Sequence, residues 1–165
     1  MDIERDDDGS VALATLSARV RAALVDLALC AMTSSILMKV AFASIVESMS
    51  KVGAQLVGVV VFAVLLGLYE IGMVGLRGRT LGNEVTKTAV VHEDDLSPAT
   101  LLQATIRFVL GPLVFCAGAG IIWVSPMWVL AVVGFLAADF GVAMASATVQ
   151  TLHDRAARTV VVLVS

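Results

Sequence analysis

The sequence predicts an all-α membrane protein: four transmembrane helices, both termini in the cytoplasm, and a small cytoplasmic loop/C-terminal β element. Three observations carry this. The 165 residues are 59% apolar, with a mean hydropathy of +0.95, well above the roughly 45–50% apolar content of soluble domains. The apolar residues gather into four runs, each close to the ~20 residues that cross a hydrocarbon core, without the short alternating segments of a β-barrel. The basic residues are one-sided. Arg5, Arg19, Arg21, Arg77, Arg79, Lys87, Arg107, Arg155 and Arg158 fall before the first run, between the second and third, or after the fourth, and only Lys51 lies in the opposite loops. That bias puts both ends and the 77–105 connection in the cytoplasm of a multi-pass cell (inner) membrane protein.

The chain opens with Asp2, Glu4, Asp6, Asp7 and Asp8, too acidic for the n-region of a secretory signal. Residues 1–16 are therefore expected to be an acidic disordered tail. The membrane domain follows over 17–162, with spans at about 22–46, 54–76, 106–124 and 127–147, and 163–165 form the C-terminal end. Trp123 and Trp128 flank the turn Ser125-Pro126 as an outer aromatic belt would. Gly75, Gly78 and Gly82 make a turn-rich exit from the second span. Val85–His92 reads as extended, closed by a solvated turn of Glu93, Asp94 and Asp95. Ser97 as N-cap and Pro98 at the first position start an interfacial helix carrying Leu101, Leu102 and Ile106, and Gly111-Pro112 kinks the third span. The closing Val160–Val164 is too short to span and too apolar to hang free, so it is expected to pair with Val85–Val91.

The charges inside the apolar runs are the candidate functional residues. A carboxylate such as Asp26 costs on the order of 2.5–3.5 kcal/mol in a bilayer and calls for a partner or a task. At about 100° per residue, Arg19, Ala23, Asp26, Cys30 and Thr33 share one stripe, and Asp139, Ala143, Ser146, Gln150 and Asp154 share another. Polar stripes face protein or water, so the first and fourth helices are expected to pack along them. Ala137, Gly141 and Ala145 would then permit close approach. The stripes read either as a buried polar seam or as a proton or cation path through Asp26 and Asp139. Lys39 is expected to snorkel outward, with pairing to Asp139 as the alternative. Glu70 is expected to pair with Arg77 or Arg79, or else to join the polar cluster. His153 reads as a satisfied interfacial histidine.

Other chemistries find no support in the pattern. Cys30 and Cys116 both sit inside spans, with neither disulfide nor metal spacing. The segment Gly78-Arg79-Thr80-Leu81-Gly82 lacks the ending of a phosphate-binding loop, and no nucleophile–base pair is apparent. No metal, cofactor, nucleic acid or enzymatic activity is expected.

Arg19-x-x-Ala22-x-x-Val25-Asp26 resembles the opening signature of the RDD family of integral membrane proteins, named for one arginine and two aspartates. Gly78-Arg79-Thr80-Leu81-Gly82 is similar to that family's glycine–threonine–glycine turn, and Arg107 to an arginine entering the following helix. Gln150-Thr151-Leu152-His153-Asp154-Arg155, leading to Thr159-Val160-Val161-Val162, is similar to its closing motif. The resemblance extends from about Ser17 to Val162, with Asn83 standing where the family usually has lysine. It implies a family triad of Arg19, Asp26 and Asp154, and a cytoplasmic motif of Gly78, Thr80, Gly82, Arg107, His153 and Arg155.

What the resemblance implies about activity is limited. Cation/proton antiport has been proposed for some members. Others look like accessory membrane subunits beside larger machines, including lipid-import systems of actinobacteria. The chain is therefore expected to be an accessory or assembly subunit in the lipid bilayer, with a larger membrane complex or a homo-oligomer as its partner. The alternative is an oligomeric cation/proton transporter using intramembrane carboxylates. Small size and the lack of a transporter-type internal repeat favour the first.

Overall fold

In the computed structural model, which describes residues 3–7, 9–122, 128–146 and 148–165, two long helices open the membrane domain. Helix α1 (Leu16–Ala41) starts at Thr15, whose hydroxyl accepts from the Ala18 amide, and a short α2 (Ala43–Glu47) follows it. Helix α3 (Lys51–Arg77) starts at Ser50, which caps the Gly53 amide, and ends at Gly78, whose left-handed φ of 72° glycine adopts without steric penalty. Then come α4 (Leu81–Val85), β1 (Thr88–His92), α5 (Leu101–Leu110), α6 (Pro112–Ile122), α7 (Trp128–Ala145), α8 (Leu152–Ala157) and β2 (Thr159–Leu163).

The protein is mostly helical, 68%, and three helical stretches are long and apolar enough to cross a membrane: Leu16–Ala41, Lys51–Arg77 and Leu101–Gly118. The third is broken at Gly111 between α5 and α6, where Pro112 removes a backbone donor, as the sequence led us to expect. Within α7 the described apolar stretch, Val133–Ala145, is shorter. The turn Ser125-Pro126, Trp123 and the side chain of Trp128, read as an outer aromatic belt, lie outside the described residues.

The expected sheet is present. β1 and β2 pair antiparallel, with Thr88 opposite Leu163 and His92 opposite Thr159. The strand starts three residues later than expected, because Val85 ends α4 and Lys87 turns the chain at positive φ. Alternation sends Val90 and Val161 into a core with Ala14, Val74, Ala99 and Ala104. The opposite face, with Ala89, Val91, Val160 and Val162, is covered by Ile3, Val11, Leu13 and Leu96.

That cover corrects the expectation of a disordered tail. Over its described residues the acidic segment folds back as a hairpin, with Arg5 bridged to Val11, and adds to the sheet through Ile3 to Val164 and Leu13 to Val162. The Glu4 and Ala14 amides donate to the Leu163 and Val161 carbonyls. Asp6 and Asp7 occupy the exposed turn, while Ile3, Val11 and Leu13 supply a period-2 apolar face that charge content had masked.

Two further expectations are corrected. Helix α5 is capped by Thr100, not Ser97. The Thr100 hydroxyl accepts from the Gln103 amide while Gln103 reaches back, a reciprocal box, and Ser97 instead bonds to Asp95 in the turn. This places Pro98 in a bridge to Val91 rather than in the helix. Nor does α7 pack along α1; its main neighbours are α6 and α8, while α1 packs on α3 and α4. Ala137, Gly141 and Ala145 face outward, and a Cβ on Gly141 would meet nothing within 4 Å. Close packing is found elsewhere, between α3 and α5, where a Cβ on Gly67 would fall 2.9 Å from the Phe108 ring.

If the hairpin seals the sheet, Leu13→Asp buries a charge against Val162 and should destabilise this layer by about 1–3 kcal/mol. Limited proteolysis of the membrane-inserted chain should then cut within 159–165, and an unchanged digestion pattern would show that the hairpin carries no stabilising role.

Candidate functional site

The polar residues of the helices converge where α1, α3, α5, α7 and α8 meet the sheet. Asp26 is buried on α1, in line with Ala18, Ala22, Cys30 and Ser34. That inward stripe runs at four-residue spacing, so Thr33 lies outside it, exposed and bonded to the Leu29 carbonyl of its own helix. The Asp26 carboxylate is saturated by three donors. The Tyr69 hydroxyl (2.6 Å) and the Gly82 amide (2.8 Å) donate to Oδ1, and the Thr80 hydroxyl (2.6 Å) donates to Oδ2. Thr80 also accepts from the Asn83 amide as the cap of α4, and Tyr69 accepts from the Leu81 amide at 2.8 Å.

This geometry explains the glycine–threonine–glycine turn. Gly78 reverses the chain after α3, Thr80 places a hydroxyl on the carboxylate, and Gly82 brings the backbone against Ala22. A Cβ on Gly82 would overlap the Ala22 carbonyl and lie 2.7 Å from Asp26 Oδ2. Asn83, at the position after the turn, accepts from the Thr88 hydroxyl through its side-chain oxygen at 3.2 Å and so ties α4 to β1.

Asp154, on α8, is fully buried between two arginines. Arg19 Nη1 lies 2.6 Å from Oδ2 and Arg107 Nε 2.9 Å from Oδ1. The residue also completes a capping box with Thr151. Burial on its own would push this carboxyl up. Arg107, followed by His153, Arg19 and the Thr151 hydrogen bond, outweighs that and holds it down at about 2, against an ordinary 3.8.

Asp139, buried on α7, accepts at Oδ1 from the Leu152 amide (2.9 Å), the exposed start of α8, with His153 Nδ1 at 3.2 Å. The other ring nitrogen of His153 lies 3.1 Å from the Thr151 hydroxyl, so both nitrogens have partners. Gln150 donates to Glu93 and to the Thr159 carbonyl, joining the end of α7 to the sheet. The stripe expected along the fourth helix is interrupted: Asp139 and Ala143 are buried on α7, which stops at Ala145, while the buried Gln150 and Asp154 lie beyond it, in the connection and on α8.

These groups line a cavity of about 370 Å3 whose walls also include Glu70, Leu24, Phe115, Leu136 and Phe140. α1 and α7 face one another across it instead of packing together. The model of the RDD family matches residues 13–158. The chain belongs to the RDD family. No curated protein and no solved structure matches it.

Of the three residues that the resemblance implies as a triad, Arg19 and Asp154 form a buried ion pair, and Asp26 makes a separate hydrogen-bonded knot seven residues further along α1. Arg107 joins the pair, and His153 links it to Asp139. Arg155 is exposed outside the cluster. Lys39 is exposed beside Gln55 and Ser35, as a snorkelling lysine would be, and pairs with no carboxylate among the described residues. Glu70 departs from its first expectation: Arg79 pairs with Glu84 at 3.5 Å, and Glu70 turns into the cavity with Oε2 buried and without a hydrogen-bond partner. Tyr69 and Thr151 went unrecognised in the sequence. Each left a signal: a phenol in an apolar run needs an acceptor, and Thr151-x-x-Asp154 has the spacing of a capping box.

Asp154 sets a pH dependence. Its carboxyl is depressed in the folded chain, so its contribution, about 2 kcal/mol, is complete above pH ~4 and is lost as pH falls toward ~2. Thermal unfolding in detergent should show that acid limb in the parent, and Asp154→Asn should flatten it while lowering stability at neutral pH by about 3–5 kcal/mol. Gly82→Ala should likewise reduce folded protein in the membrane, and normal abundance would contradict the close approach to Ala22.

Proposed function

We propose that this RDD protein is a four-helix, multi-pass protein of the cell membrane with both termini cytoplasmic, acting as an accessory or assembly subunit of a larger membrane complex. The topology rests on the nine-to-one bias of basic residues, with the apolar run at about 127–147, which contains α7, as the fourth span. One observation carries the functional reading. Three of the four carboxylates lining the cavity are committed to holding elements together: Asp26 to α3 and α4, Asp139 to the start of α8, and Asp154 to Arg19 and Arg107. A carboxylate saturated by fixed donors is a poor ion carrier, because releasing it leaves those donors unpaired. What the seam supports instead is a rigid sheet platform facing the cytoplasm, a surface suited to a partner protein.

The second reading, an oligomeric cation/proton transporter, is favoured by Glu70 alone, the carboxylate whose Oε2 is buried and unpartnered. Four helices make a narrow pathway, so self-association belongs to this reading. No enzymatic activity is proposed.

Gentle-detergent purification from the native membrane, with co-purifying chains weighed and identified, separates the two. A stoichiometric larger partner is expected. A lone homo-oligomer, whose ion flux in proteoliposomes is lost per molecule in Glu70→Gln or Asp26→Asn at normal abundance, would replace this reading with transport.

A further inference from the structure

The cavity has a polar end and an apolar end. At the sheet end stand Arg19, Arg107, His153 and Asp154; toward the bundle interior the walls are Leu27, Leu66, Phe115 and Leu136. Val20 and Leu24 of α1, and Phe140 of α7, line it while also exposed on the outer surface of the helices. The space therefore borders the apolar exterior between α1 and α7, two helices that do not pack on one another.

Its polar end is incompletely matched. The Arg19 side chain is only 10% exposed, and of its guanidinium only Nη1 is engaged; Nε and Nη2 are buried with no hydrogen-bond partner among the described residues. A buried donor left unpaired is costly, more so when charged, so an arginine in this state calls for an acceptor. Two guanidiniums share the single Asp154 carboxylate, and Asp139 is engaged by His153 and the Leu152 amide. The remaining carboxylates differ in what they offer. Asp26 and Asp139 have donors of their own, whereas Glu70 Oε2 is buried and lacks one. The cavity thus presents a fork of cationic donors at Arg19, an unpaired acceptor at Glu70, and an apolar channel leading away from both.

We propose that this cavity binds one anionic phospholipid whose headgroup carries hydroxyls. Its phosphate sits on Arg19 Nε and Nη2 beside Arg107. A headgroup hydroxyl donates to Glu70, and an acyl chain runs out between α1 and α7 past Leu24 and Phe140. Arg19 is three residues into α1, about 4.5 Å from its start, at the end of the bundle where chains leave the apolar layer. Basic pockets between spanning helices at such a depth are sites for phosphate headgroups, and a planar guanidinium suits a phosphate better than a point charge does. The volume, about 370 Å3, accommodates a headgroup and the first part of one chain. The site is independent of whether the protein acts as a subunit or as a transporter.

The full chain, purified in mild detergent and exchanged into mixed micelles of phosphatidylglycerol and phosphatidylcholine, tests this by native mass spectrometry. The expected result is one phosphatidylglycerol retained per chain in preference to phosphatidylcholine. Arg19→Lys keeps a cation beside Asp154 but removes the fork, and should weaken retention about tenfold or more. Val20→Trp should do the same by filling the channel without touching the ion pair, which keeps the test decisive if Arg19→Lys misfolds. Lys39→Ala, remote from the cavity, should retain lipid as the parent does. Equal retention of both lipids, no retained lipid, or retention unaffected by Val20→Trp would overturn the proposal. So would displacement of the lipid by millimolar inorganic phosphate, which would make this a site for the anion alone.

Discussion

Asp154 sits fully buried between Arg19 of α1 and Arg107 of α5, on a helix of only six residues that leads directly into β2. A helix that short has almost no stability of its own, and its position is set by the charge it carries. One carboxylate fixes the start of the first long helix, the helix entering the broken span, and the strand that closes the sheet. Removing either arginine would leave a buried charge with too few partners, which costs more than the pair contributes when intact. The rest of the seam is arranged around this ion pair. His153, next in sequence, carries the contact on to Asp139, and Asp139 in turn holds the first amide of α8.

Asp26 does a related job by different means. Among the described residues no cation pairs with it. Its charge is stabilised by a phenol, a hydroxyl and an amide supplied by α3 and the turn after it. The need to reach that carboxylate dictates the composition of the turn: a left-handed glycine to reverse the chain, a threonine that can donate to Asp26 while accepting from Asn83, and a glycine with no Cβ to strike Ala22. A motif that looks like flexible punctuation in the sequence is a mould for one carboxylate. The two aspartates and the arginine of the family signature are thus not one three-residue site but two adjacent anchors, linked by two turns of α1.

The elements legible in the sequence were those with a strong local period or a forced break: the two long helices, the Gly111-Pro112 interruption, and the β-branched run that became β2. The pairing of that run with β1 was readable because no other segment of similar character was available to it. The hairpin at 3–14 was not, since four acidic residues dominate its composition while the three apolar ones that dock are spread across a turn. Helix partners were misjudged for a different reason. Two polar stripes imply contact only if nothing else satisfies them, and here the α4 turn satisfies Asp26 of α1 and α8 satisfies Asp139 of α7, both elements too short to show a period. Glu70 could be narrowed from sequence only to two alternatives, an arginine partner or the polar cluster, because which group a mid-helix carboxylate meets depends on the helix rotation that packing on α5 fixes.

These points bear on how a chain this small can hold so much charge beside a bilayer. A buried charge is tolerable when each of its hydrogen-bonding atoms has a fixed partner, and Asp26 meets that condition within the chain. Arg19 and Glu70 do not. Both line the same cavity, both keep buried atoms without hydrogen-bond partners among the described residues, and the intervening space is walled mostly by apolar residues. A core with that combination is either less stable than its otherwise complete hydrogen bonding implies or is completed by something from outside the chain. The regularity of the seam around it, in which Asp26, Asp139 and His153 each find partners, argues for the second. The protein would then be fully satisfied only in its membrane, with the bilayer acting as a component of the fold as well as its solvent.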